Sequence, residues 1–140
     1  MTALSFVNDA TLLTVEESPT GAHLYSLDLG GATSVLGGAY DSPAGAALDD
    51  LDAEGLARAG IVPVSKSLLF DVGRVAGPGS RIEGLAVLAA DTVSFSTDDG
   101  FGVPPASPRF GFEDPAEPPA PAPASRVFTV RLNSALPLGR

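Results

Sequence analysis

The sequence has no cysteine and no tryptophan, a single histidine, and only 8 basic side chains against 17 acidic ones. Each shortage closes off a chemistry. Without cysteine there is no disulfide framework, no thiolate-ligated zinc or iron–sulfur centre and no thiol nucleophile. One histidine leaves no room for a His-rich metal cage and little for a catalytic triad. A formal charge of −9 argues against wrapping nucleic acid, because neutralising phosphates takes clustered Lys and Arg. No apolar run approaches the ~18 residues of a membrane span. The start, Met1 to Asp9, does not read as a signal peptide, having neither a basic opening nor a long apolar stretch. What the sequence does have is a 44% hydrophobic share in 140 residues, enough for a core in at most one domain.

The apolar runs are short, rich in Val, Leu, Phe and Thr, and bounded by Gly, Pro, Asn or Asp, which is strand patterning. Strands are expected at 3–7, 11–17, 23–29, 66–72, 83–88, 92–97 and 126–132. Asn8-Asp9 and Ala90-Asp91 each separate two runs by hairpin spacing, with residues that tolerate turn geometry. Between Gly30 and Pro63 the composition shifts to Gly, Ala and Asp. There Leu48, Leu51 and Leu56 recur at roughly helical intervals, predicting one short helix within Ala46 to Ala59, weakened by Gly55. Eight of the 13 prolines fall between Val103 and Ala124. That stretch cannot donate to a sheet ladder and reads as a long extended insertion between two strands. It has no Arg-flanked PxxP to make it an SH3-type ligand.

Residues 4–18 lie over 85–99 without a gap. Only Leu4 with Leu85 and Thr11 with Thr92 are identical, but both segments run strand, tight turn, strand, carboxylates. A third strand follows each, and the first set adds a fourth. Four consecutive antiparallel strands are the anatomy of a propeller blade. The alternative is an ordinary antiparallel sandwich.

Residues 81–102, carrying Glu83-Gly84-Leu85 and then Ser96-Thr97-Asp98-Asp99-Gly100-Phe101-Gly102, resemble the closing motif of the phytase-like family, also described as having an esterase-like activity of phytase. That family pairs a Glu-Gly-Leu strand with one ending in Ser-Asn-Asp-Asn-Asp-Phe-Gly. Upstream, 62–72 is similar to its Pro-Val-X-Lys strand and 12–18 to its Leu-Glu-Arg-Asp strand end, while 126–132 fits its last strand. The chain departs from the pattern at Glu17, Ser18 and Gly100, which stand where the family has Arg, Asp and Asp.

The resemblance implies an all-β fold of antiparallel four-stranded blades, about two in an incomplete propeller ring, with one short helix in a connector. The whole chain, 1–140, would be the C-terminal part of a phytase-like propeller. Residues 1–72 make one blade with its connector, 81–132 a partial blade, and 103–124 the proline-rich loop. A blade takes roughly 40–50 residues and a ring at least about four blades, so pairing with a second copy or with missing blades is expected. The implied activity is calcium-dependent hydrolysis of phosphoric esters, with a phosphate-ester small molecule as ligand. Hard oxygen ligands suit Ca²⁺, and the metal would serve as Lewis acid for a water attacking phosphorus. Glu83, Asp98 and Glu16 are the candidate metal ligands; no catalytic residue is singled out. Glu17 and Asp99 are strand-end carboxylates as well, but read as structural before they read as ligands, Asp99 as part of an acidic turn. Lys66 and Arg81 read as partners of nearby carboxylates before they read as phosphate ligands. His23 reads as a turn or surface residue, and Ser94 and Ser96 lack any Gly-X-Ser-X-Gly context. The departures leave two other outcomes: a non-catalytic binding or scaffold segment, or an inactive remnant. The family is commonly exported.

Overall fold

The computed structural model describes residues 3–18, 21–41, 47–76, 81–98 and 125–139. The proline-rich stretch 103–124, together with Asp99 and Gly100, lies outside them. The described residues are mostly antiparallel β-sheet. The first sheet contains β1 (Ala3–Asn8), β2 (Thr11–Ser18), β3 (Gly21–Asp28) and β4 (Ser65–Asp71), side by side in chain order. The second contains β5 (Arg81–Ala89), β6 (Thr92–Asp98) and β7 (Val127–Arg131), again in chain order. All seven expected strands form, with ends shifted by one or two residues. Among the described residues, no helix is long and apolar enough to cross a membrane.

Period-2 patterning explains the strands. In β6, Val93, Phe95 and Thr97 are buried while Ser94 and Ser96 between them are half-exposed, as alternation on a one-sided sheet demands. In β2, Leu13 and Val15 point into the core. Thr14 between them is also buried, its hydroxyl donating to the Ala3 carbonyl at 3.1 Å. Burial of such a hydroxyl is tolerable because it is bonded.

The gapless overlay of the two hairpins holds pair by pair. Ala3 faces Val15 as Gly84 faces Ser96, and Leu4 faces Thr14 as Leu85 faces Phe95. Ser5 faces Leu13 as Ala86 faces Ser94, and Phe6 faces Leu12 as Val87 faces Val93. Even the irregularity before the turn recurs, between Phe6 and Asn8 and between Val87 and Ala89. The third strands follow suit: Thr11 faces Asp28 and Val15 faces Leu24, while Thr92 faces Arg131 and Ser96 faces Val127. The two sheets are thus one strand-turn-strand-strand unit used twice.

The sheets bury opposite faces of that unit. The first contributes Ala3, Leu13, Val15, Ala22 and Leu24 to the core; the second contributes Ile82, Val93, Phe95 and Val130. Two fastenings hold them. At the turn end, the segment after β7 donates from Leu132 N to Asp91 O and from Leu136 N to Ala90 O, at 2.7 and 2.5 Å. The Asn8 side-chain amide donates to the Pro137 carbonyl, and its oxygen accepts from Ala10 N at 2.8 Å, closing the first turn. Leu132 and Leu136 are buried there. At the opposite end, Glu17 of β2 accepts from the backbone N–H of Ile82 on β5 at 2.5 Å.

The single helix expected within Ala46 to Ala59 is shorter and divided. A 3₁₀ turn spans Leu48–Asp50, and α1 covers Ala53–Arg58. The reason is Asp52: its carboxylate accepts from Gly55 N at 2.7 Å, an N-cap that starts the helix there. Gly60, at φ +69°, ends it. Ile61 N reaches Leu56 O and Gly60 N reaches Ala57 O, the double bond of a left-handed glycine cap. A one-turn α2, Gly73–Ala76, follows β4, where the sequence pattern gives no helix; it buries Ala76 next to fully buried Val72.

Candidate functional site

The three candidate metal ligands occupy two separate places. Glu16 lies on β2, and its side chain points to the opposite side of the first sheet from Glu17. Since Glu17 reaches toward the second sheet, Glu16 faces away from it. Both Glu16 carboxylate oxygens accept from Lys66 Nζ, at 3.0 and 2.7 Å. The lysine gets there by crossing the Tyr25 ring, with Nζ 4.6 Å from the centroid. The Glu16 bond is the main cause of a raised Lys66 pKa; partial desolvation opposes it and the Glu16 and Tyr25 charges add to it.

Glu83 and Asp98 come together on Arg81. The guanidinium lies 3.1 Å from Glu83 and 3.7 Å from Asp98, and Arg81 stands directly opposite Asp98 across β5 and β6. An irregularity between Ile82 and Gly84 sets Glu83 on the same guanidinium as its neighbour. The three side chains rim the outer face of the second sheet at the end away from the hairpin turn. An arginine fork facing two carboxylates has the chemistry of an anion or cation site only when one side is released; as placed, each charge is answered by the others.

Lys66 and Arg81 therefore do what was expected of them, each neutralising a carboxylate. Among the described residues no group of three or more His, Asp or Glu side chains is placed to hold one metal ion. His23 packs its ring 6.2 Å from Tyr25 on the first sheet's outer face. Ser94 and Ser96 lie on the outer face of the second sheet. Sequence reasoning missed the role of Glu17. It read as a strand-end carboxylate outside the metal set, yet it is a polar link between the sheets, and its partner, a backbone N–H distant in sequence, leaves no local signal.

Among the described residues nothing is packed over two of the sheet faces. On the first sheet one row runs Leu4, Thr14, Tyr25, Leu68 and the next Phe6, Leu12, Leu27, Lys66. Phe6 is 74% exposed, Leu68 59% and Leu4 47%, which is much apolar surface for a sheet to leave uncovered. On the second sheet the open rows are Gly84, Ser96, Val127 and Ala86, Ser94, Thr129, all small and uncharged. Comparison of the chain with protein-family models, curated proteins and solved structures gives no match.

Proposed function

We propose that this chain is a two-blade segment of a β-propeller that works as a non-catalytic binding or scaffold module, joining other sheets through its uncovered faces. The observation that carries this reading is the repeated unit. Two consecutive meanders share one register and pack by opposite faces, which is how successive blades stack in a propeller. In such a stack every inner blade is covered on both sides, so the Leu4 and Phe6 rows are the expected contact surface for a further blade. The chain's length, at roughly 40–50 residues per blade, agrees with two blades plus a connector and an insertion.

The second reading is the phytase-like one: calcium-dependent hydrolysis of phosphoric esters. What favours it is the convergence of Glu83 and Asp98 at one sheet end beside Arg81, within the segment whose motif resembles that family. In that reading the two carboxylates hold calcium and the guanidinium meets the phosphate. Glu16 stands apart from this group, ion-paired with Lys66.

Calorimetric titration of the chain with Ca²⁺, with a phosphatase assay in the same buffer, separates the two. The binding-module reading predicts no heat and no phosphate release above a Glu83→Gln/Asp98→Asn control. Saturable heat together with calcium-dependent release, both lost in the control variant, would establish the hydrolase.

A further inference from the structure

We infer that the open face of the first sheet is covered by the open face of the second sheet of another copy of this chain, head to tail. The inference deepens the binding-module reading and rests on it. Because the two sheets share a register, each open face has a buried counterpart within the molecule. The outward-facing positions Leu4, Phe6, Leu12 and Tyr25, the last two half-buried, correspond to Leu85, Val87, Val93 and Phe128, of which Val93 is fully buried and the other three packed against the core. At these four positions the first sheet's outer face is as apolar as a face that the chain does bury, while Thr14 stands where the second sheet has Phe95 and Lys66 crosses Tyr25 to reach Glu16. What shares the core with that counterpart is the first sheet's other face, which runs Ala3, Val15, Leu24 and Ser5, Leu13, Ser26 and supplies Ala3, Leu13, Val15 and Leu24 to it.

The positions equivalent to those rows are the ones left open on the second sheet: Gly84, Ser96, Val127 and Ala86, Ser94, Thr129. They are small and neutral, so bulky Phe6 and Leu68 side chains can seat on them without burying a charge. On the second sheet charges lie only at the rim, where Arg81 is paired with Glu83 and Asp98, and on the first sheet's face Lys66 and Glu16 neutralise each other. Applying the packing step between the two sheets once more therefore carries the first sheet of a second copy onto the second sheet of the first. This is a heterologous contact, which closes into a ring or runs on as a filament. With two blades per copy, a propeller of roughly six or eight blades takes three or four copies.

Sedimentation velocity on the full chain tests this, with Phe6→Glu to block one face and Ala86→Glu to block the other. Both positions are exposed, and far-UV circular dichroism checks that each variant stays folded. The wild type should associate with concentration, and each variant alone should associate at least about tenfold more weakly, as for a buried interface anchor. Mixed together, the variants should form a 1:1 dimer and nothing larger, since the mixture holds one intact junction. A wild type that stays monomeric overturns the inference. So does an Ala86→Glu variant that still self-associates, which would mean that like faces meet, or a mixture that forms no dimer. Failure of the broader reading looks different: it appears as calcium heat and ester hydrolysis on the same preparation, whatever the association state.

Discussion

Gly84 offers the sharpest test of the repeated register. A Cβ built on it would lie 2.2 Å from the Ser96 hydroxyl oxygen and 3.4 Å from the Ser96 Cβ. The first distance is a clash and the second an ordinary contact. Gly84→Ala has two opposing effects. Restricting the unfolded chain favours folding by about 0.5–1 kcal/mol. Driving the Ser96 hydroxyl from its rotamer and crowding the pair costs about 1–3 kcal/mol. The single variant should therefore lose about 1 kcal/mol net. Ser96→Ala alone removes one half-exposed hydroxyl and should change stability by no more than about 0.5 kcal/mol. In the Ser96→Ala background the obstacle is gone, and Gly84→Ala should become neutral or stabilising. The cycle thus predicts a coupling of about 1–2 kcal/mol, read from urea denaturation followed by circular dichroism with an unchanged m-value. Ser94→Ala, which removes a hydroxyl opposite Ala86 rather than Gly84, should combine additively. Additivity within about 0.5 kcal/mol at the Gly84/Ser96 pair would refute the placement of Gly84 opposite Ser96, and with it the match between hairpins.

Glu17→Ala should cost about 1.5–3 kcal/mol in the same assay, because it removes a charge-assisted bond and strands the Ile82 N–H between the sheets. Glu17→Gln, which keeps an acceptor oxygen, should recover at least half of the loss; equal effects would mean that the carboxylate acts otherwise. Asp52→Ala should cost about 1 kcal/mol through the lost cap on α1, with faster amide exchange at Gly55, and unchanged exchange there would count against the cap. Lys66 binds its proton more tightly folded than unfolded, so its contribution is whole below the ordinary lysine value of 10.5 and fades as pH rises through the raised folded value. Between neutral pH and 10.5 the stability gap between wild type and Glu16→Gln should be flat, and it should narrow as pH rises through the raised folded value. A gap that widens there would contradict the pairing.

What was legible in the sequence follows the range of the interactions. Both hairpins could be read from alternation and from the Asn8 and Asp91 turns, and the overlay of Thr11 on Thr92 anticipated a register that matches from Ala3 to Phe6 against Gly84 to Val87. Composition likewise marked the connector. The helix boundary was missed because leucine spacing says nothing about where a cap begins, and Asp52 decides that. The candidate site was harder for a different reason. Glu16, Glu83 and Asp98 share the feature of lying near strand ends, but which side of a sheet each faces, and which cation it meets, depends on pairings that span much of the chain. Lys66 reaches Glu16 only because β3 sets β4 beyond β2. Glu17 answers a backbone group in the other sheet, which no local pattern encodes.

If the two open sheet faces are one surface and its complement, methyl NMR over a dilution series will register both at once. Resonances of Leu4, Leu12 and Leu68 on one face, and of Ala86 and Val127 on the other, should shift together with concentration while core methyls such as Leu13 and Val93 hold still. Shifts confined to one face, or none at any concentration, would contradict it.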